Sequence, residues 1–521
     1  MYNFTNRNFI ITIIFLLCIT VVSVIISLSL TQGHFTYALD NPYIHMSTAK
    51  HFAEQGVWSI DGKTYATASS SPLWVILLTP FYLLFGAQLF VYVPFFLNVI
   101  FQVLSLNLIF QMVKKYTSHN LHYTFGIMIV LVTPFIALTL GGMEHSLQIF
   151  LVLLFVNYFI VYTIHPNSKH NMIPLLLLAP FVTFVRYEDL ALVAVTSLII
   201  LLYFRNWKLS FGLVFSSLIF IVLFGMWSKY ILDLGFIPSS IMAKSVLGKE
   251  FSLLILIKSI LVKFNDQFFH THIIMLFLFN MYILIKSFFL NKRWLFLVSI
   301  LYILTLLIHL AFASIGWLYR YEAYLIVFGL INVLLYTYSV YEINIKWITF
   351  GLLFNFIIFW QQILDAPKVS ILGSKNIYEQ QIQMANFLHQ KCDSCNIAAN
   401  DIGAITYFTN IYLLDLYGLG SYEVIEHKKN GTYTNEVKTI LLADKNVSLI
   451  MIYDSWFKDI TLGNYTKIAK WKILNNVVSG SDTVSFYSNN EKIFVNTLKL
   501  KEYSKNKLPK DVVVEFMEIE K

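Results

Sequence analysis

Long apolar runs separated by short polar segments fill the first two-thirds of the chain. The first, Phe9–Leu30, has 22 residues, enough to cross a hydrocarbon core of about 30 Å at about 1.5 Å per helical residue. SLSLTQGHF follows it in place of a small-residue cleavage site, so the run reads as an uncleaved anchor. Further runs cover 88–113, 121–140, 147–163, 172–186, 187–204, 209–232, 269–290, 294–313, 321–340 and 346–364. The pattern predicts a mainly α, polytopic membrane protein with about 11 transmembrane helices. Two apolar runs are too short to span or are broken by lysines: Pro72–Phe85 and Phe251–Phe264. They read as interfacial helices in the outer loops.

Beyond residue 364 the rhythm changes. Ile377, Ile382, Met384 and Phe387 recur at helical spacing within 371–391. Short β-prone segments follow at 396–400, 411–416 and 447–453, with more β-structure in 471–495. Alternating helices and strands predict a small α/β domain with a largely parallel sheet. The expected division is therefore 1–364, a membrane domain with a first outer loop at 31–87, and 365–521, a soluble α/β domain.

Charge sharpens this division. Of 66 Asp, Glu, Lys and Arg residues, 30 lie in 1–364 and 36 in the much shorter 365–521. With 57% hydrophobic residues overall, a soluble enzyme and a secreted disulfide scaffold are excluded. The formal charge of +8 is spread thinly, which argues against a nucleic-acid partner. Basic residues favour the cytoplasmic ends of spans. Lys114–Lys115, Lys169, Arg205 with Lys208, Lys292–Arg293 and Lys346 all fall on the side of Arg7 if there are eleven spans. The N-terminus is thus expected in the cytoplasm and residues 365–521 outside it. The pair Cys392 and Cys395 would then meet oxidising conditions and is expected to form a structural disulfide.

Ionisable groups beside membrane spans are costly and tend to be functional. The membrane part holds 11 carboxylates, ten of which the topology puts at the outer side. Asp40 stands out, about ten residues past the first span, in YALDNPYIHMSTAKHFAEQG. Asp before Pro42 is also a common way to cap a helix, and that reading stays open. Glu144 follows Gly141–Gly142 and is open to the same reading. Arg186 has Glu188 and Asp189 as possible ion-pair partners, and Arg320 has Glu322. Lys244 could reach lipid headgroups, and His145 could be a packing residue. Tyr43 and Trp74 could stack on a sugar ring or simply belong to the aromatic belt.

The run DNPYIHMSTAKHFAEQGVW…TASSSPLWVILLTPFYLLFG resembles the first-loop signature of polytopic C-type glycosyltransferases, the GT-C fold. The likeness is to the bacterial branch with arabinofuranosyltransferase and mannosyltransferase-like membrane proteins. GGMEHSL at 141–147, FVRYEDLAL at 184–192, GFIPSSIMAKS at 235–245 and ANDIGAITYFTNIYLLDLYGLG at 399–420 are similar to further elements of that family, in order along the chain.

The resemblance implies a sugar taken from a polyprenyl-phosphate-linked donor and passed, with inversion, to a cell-envelope glycan, lipid or protein acceptor at the outer face of a bacterial inner membrane. It implies Asp40 as general base, with Asn41, Tyr43, Trp74, Glu144, His145, Arg186, Lys244 and Arg320 as candidate substrate contacts. The phosphate leaving group calls for cations, which Lys244, Arg186 and Arg320 could supply. Relatives often carry a second Asp where this chain has Asn41. Asn cannot act as a base or a charged metal ligand, so no cofactor is expected, although a divalent metal stays an open alternative. A transporter or flippase of lipid-linked sugars, or a non-enzymatic membrane-anchored assembly protein, are the competing readings.

Overall fold

The computed structural model describes residues 6–166, 168–243, 253–341, 345–457 and 462–518. All eleven apolar runs fall on helices, although 88–113 straddles the ends of two and 121–140 is a bent pair. Among the described residues nine helices are long and apolar enough to cross a membrane, or ten if one bent pair is a single span. The bend, 49° between Tyr123–Val132 and Phe135–Gly141, falls at Thr133–Pro134, where Pro134 has no N–H to donate. Lys169–Val185 is a shorter apolar helix with Pro174 and Pro180 inside it. These helices make the chain an integral membrane protein.

The two short runs are also helical. Pro72–Phe90 begins on a Ser71 side chain that accepts the Trp74 N–H. It is long enough by composition to span, but Gly86 leaves the helical region after 14 residues, at φ 65° and ψ 172°. Leu253–Phe268 is the second.

The helix carrying the last apolar run does not stop at residue 364. It continues as Ile345–Ile377 through a π-turn at Tyr378–Ile382 into Gln383–Lys391. The C-terminal α/β domain, named the outer domain for the side of the membrane expected of it, therefore continues directly from this helix, with no linker.

The outer domain holds six strands: β1 (Asn396–Ala399), β2 (Tyr412–Asp415), β3 (Leu449–Ile452), β4 (Tyr465–Lys472), β5 (Thr483–Asn489) and β6 (Val513–Phe516). They form one sheet in the order β2-β1-β3-β5-β4-β6. β1 pairs in parallel with β2 and β3, as the alternating pattern predicts. The other three pairings are antiparallel, so the expectation of a largely parallel sheet is corrected to a mixed one. β4 and β5 are joined by a short connection without a helix, which suits a hairpin and is too short for a parallel crossover. Cys392 and Cys395 are joined as a disulfide just before β1.

Candidate active site

The first outer loop starts the site. Helix Asn41–Gln55 opens with Pro42 in its first turn and ends at Gly56 in a left-handed conformation (φ 70°). Asp40 occupies the position before this helix, but its side chain makes no capping bond to it. The carboxylate instead accepts the backbone N–H groups of Gly403, at 2.6 Å, and Ala404, at 2.8 Å. These belong to the helix Gly403–Tyr407 after β1. Further bonds hold the first loop to the outer domain, among them Asp61 accepting the Leu413 N–H, the Lys50 ammonium donating to the Tyr407 carbonyl and the Lys63 ammonium donating to the Asn410 carbonyl.

Glycine is needed at 403. A Cβ there would sit 2.2 Å from the Asp40 carbonyl oxygen and 2.8 Å from Oδ2, closer than any real contact. Burial raises the Asp40 carboxyl above the usual carboxylate range, and neighbouring Asp401 pushes it further; the Ala404 and Gly403 N–H groups act in the opposite direction. Burial also raises Asp401, against the hydrogen bonds from Tyr453 and Gln381.

Asp40 lines a cavity of about 230 Å³ between the membrane bundle and the outer domain. The membrane-side wall includes Leu39, Asp40, Asn41, Trp317, Arg320 and Tyr321. The outer-domain wall includes Gln381, Asn400, Asp401, Tyr417 and Trp456. Asp415, buried below this second wall, accepts the Tyr417 and Gly420 N–H groups, folding the loop that carries Tyr417 to the cavity.

The membrane-side wall depends on an unusual turn. Gly316, Trp317, Leu318 and Tyr319 all have positive φ, at 81°, 47°, 66° and 56°. Left-handed backbone costs an L-residue about 1–2 kcal/mol, and such strain gathers at functional sites. The Glu322 carboxylate accepts the Gly316 N–H at 2.7 Å. This closes the turn, and no Glu322–Arg320 ion pair forms among the described residues. Arg320 is 4% exposed and donates through Nη2 to the Tyr321 hydroxyl.

A buried charge network stands behind Tyr321. Arg186 pairs with Glu144 at 2.8 Å and Glu188 at 2.7 Å. The other Glu144 oxygen lies 3.6 Å from His45 Nε2, while His45 Nδ1 meets the Ser69 hydroxyl at 2.8 Å. The guanidiniums of Arg186 and Arg320 lie 5.4 and 4.8 Å from the Tyr321 ring centre. FVRYE and GGMEH thus meet the Tyr321 ring through Arg186 and His145, and the first loop joins the network through His45 and Glu144.

Other candidates lie elsewhere. Tyr43 and Trp74 are fully buried, so neither leaves a ring face open to a sugar; this corrects the stacking expectation. Tyr43 packs against Tyr37 and Phe408, and its hydroxyl accepts the Tyr37 N–H. His145 is buried behind the cavity, with Nδ1 3.2 Å from Gln148 Oε1. Lys244 lies outside the described residues. Asp401, Asn400 and Gln381 were not singled out from sequence, although Asp401 sits in the quoted ANDIGA segment. Among the described residues no cluster of three or more His, Cys, Asp or Glu side chains is placed to hold a metal ion.

Over nearly its whole length the chain superposes on a solved structure, ArnT from Cupriavidus metallidurans in the apo state. The TM-score is 0.52 at 10% identity, covering 92% of this chain and 98% of that one. The chain has the GT-C fold. ArnT bound to undecaprenyl phosphate matches this GT-C chain with a TM-score of 0.49 at 10% identity, covering 91% and 97%. The apo form of an Archaeoglobus fulgidus oligosaccharyltransferase matches at 0.45 and 12% identity, covering 96% and 76%. Residues 375–487, within the outer part of the GT-C chain, match a domain of unknown function, DUF8728. No curated protein sequence matches the chain.

Proposed function

We propose that this chain is an inverting membrane glycosyltransferase that moves a sugar from a polyprenyl-phosphate-linked donor to an acceptor hydroxyl at the outer face of a bacterial inner membrane. One observation carries the reading: a buried carboxylate, Asp40, and a buried guanidinium, Arg320, line the same cavity between bundle and outer domain. Glycosyl transfer with inversion needs a base on the acceptor side of the anomeric carbon and stabilisation of the departing phosphate on the other. Asp40 is the base and Arg320 the phosphate contact. The Glu144–Arg186–Glu188 cluster holds Tyr321, and through it the Arg320 wall, in position.

The carboxyl's upward shift suits the role, since a base works best with a pKa near the operating pH. Asn41, beside it on the cavity wall, is available to a sugar hydroxyl. ArnT, whose fold the chain shares, has been solved with undecaprenyl phosphate, and we assign a carrier of that chemical class to the donor. The N-terminus is then cytoplasmic and the outer domain extracytoplasmic.

The test is sugar transfer from a radiolabelled polyprenyl-phospho-sugar in membranes carrying wild type or Asp40→Ala. Loss of a general base lowers the rate by about 10²–10⁴-fold. Equal transfer by the two would remove Asp40 from the reaction, and no transfer by wild type with any donor of this class would remove the function.

A further inference from the structure

The outer-domain wall of the cavity holds unsatisfied polar atoms that nothing in the protein explains. Asn400 is 5% exposed and Gln381 1%. Asn400 Oδ1 accepts the Tyr453 N–H at 2.9 Å, yet its Nδ2 has no partner. Gln381 Nε2 donates to Asp401 at 2.6 Å, yet its Oε1 has none. Between them stands Asp401, whose Oδ2 also lies 2.5 Å from the Tyr453 hydroxyl. Across the cavity, Arg320 Nε is likewise buried without a partner. Native proteins seldom leave such atoms unpaired, and all these residues line one cavity.

The π-turn Tyr378–Ile382 supplies Gln381; such one-turn irregularities are frequent at functional sites. Beside the polar atoms stand two rings, Tyr417 and Trp456, with centroids 5.3 Å apart and planes tilted by 53°.

We propose that this wall is a binding subsite for a neutral cyclic polyol, the ring of a sugar, held through neighbouring hydroxyls by Asn400, Asp401 and Gln381 and flanked by Tyr417 and Trp456. This rests on the proposed function and deepens it: the acceptor is a glycan hydroxyl, and the outer domain recognises it. The choice of ligand follows from donor and acceptor counting. A hydroxyl both donates and accepts, so vicinal hydroxyls satisfy a lone amide N–H, an amide oxygen and a carboxylate together. An ammonium offers donors alone and would leave Asn400 Nδ2 unpaired. A phosphate on this wall would meet the Asp401 carboxylate, while the cation among the described lining residues, Arg320, belongs with Asp40 to the opposite wall.

The experiment uses the full chain in lipid nanodiscs and measures equilibrium binding of methyl glycosides of glucose, galactose, mannose and arabinose, with ethanolamine and inorganic phosphate as competitors. Asn400→Asp keeps the oxygen that accepts the Tyr453 N–H and removes the free donor; Asp401→Asn is isosteric. We expect at least one glycoside to bind and each variant to weaken it by about tenfold or more, with polyprenyl-phosphate binding unchanged. Trp456→Ala, at a residue 43% exposed, gives the same loss without a buried substitution. No glycoside bound by wild type, binding indifferent to all three variants, or preferential competition by ethanolamine or phosphate overturns the subsite. Glycoside binding as expected without sugar transfer sinks the proposed function alone. Transfer with an acceptor KM unmoved by Asp401→Asn sinks the subsite alone.

Discussion

Asp40 Oδ2 lies 2.6 Å from the backbone nitrogen of Gly403, 363 positions further along the chain. One carboxylate thus joins the first outer loop to the outer domain and lines the cavity between them. Docking and the proposed chemistry depend on the same side chain, and the two can be separated from the glycine side.

Gly403→Ala places a methyl group against the Asp40 carbonyl and carboxylate. The loop and the helix must part, and overpacking of this kind costs about 1–3 kcal/mol. The expected result is a lower thermal midpoint for detergent-purified protein and sugar transfer reduced more than tenfold with Asp40 intact. Wild-type values for both would mean that the clamp has no mechanical role.

The raised Asp40 carboxyl sets a pH dependence. Transfer needs the deprotonated base, so the rate should climb with pH along an acid limb above the usual carboxylate range. Replacing Asp401 by Asn removes a neighbouring negative charge and should move that limb to lower pH. Stability runs the other way. Between the ordinary and the raised pKa the folded chain holds more protons than the unfolded one, so stability falls as pH rises through that window. A rate profile whose limb is the same in wild type and Asp401→Asn would break the coupling.

Arg186 lies between two carboxylates with little solvent. Removing one member of a buried pair costs about 3–5 kcal/mol because the remaining charge loses its partner. Arg186→Ala should therefore lower the thermal midpoint sharply. Arg186→Ala combined with Glu144→Gln should recover part of the loss, read as a coupling energy in a double-mutant cycle. Strict additivity would show that the pair is not coupled.

The left-handed turn offers a substitution with opposite effects on stability and activity. Trp317 has φ 47° and is 53% exposed. Trp317→Gly relieves a strain of about 1–2 kcal/mol and removes a ring from the cavity wall. Unchanged or higher thermal stability is expected, together with a raised KM for the donor. A destabilised variant with normal KM would assign the ring to packing.

The membrane half was legible because the bilayer imposes a length: runs of about 20 apolar residues have few alternatives to spanning helices. The scarcity of carboxylates there shortened the candidates to ten, and the first-loop resemblance picked Asp40 from among them. Its partner was not legible, since the contact with Gly403 crosses hundreds of residues and leaves no local periodicity; the ANDIGA segment was visible, its destination was not. Tyr43 and Trp74 show the reverse limit. An aromatic beside a candidate site has the same composition whether it faces a ligand or fills the core. Positive φ at Trp317, Leu318 and Tyr319 left no trace because none is a glycine, and only the Glu322 bond to Gly316 accounts for the closed turn. The sheet's antiparallel half was not legible, because the pattern of a single strand does not carry the connections that set its direction.

The unbroken helix from Ile345 to Lys391 makes the outer domain's height and heading a matter of residue count. A single amino acid inserted between 365 and 377 would turn everything beyond it by about 100° and lift it by about 1.5 Å, taking Gln381 off the cavity and pulling Gly403 away from Asp40. Four inserted residues would bring the heading back to within about 40° and leave an offset of about 6 Å. This helix therefore serves as a gauge that sets how far above the bundle the two walls can meet.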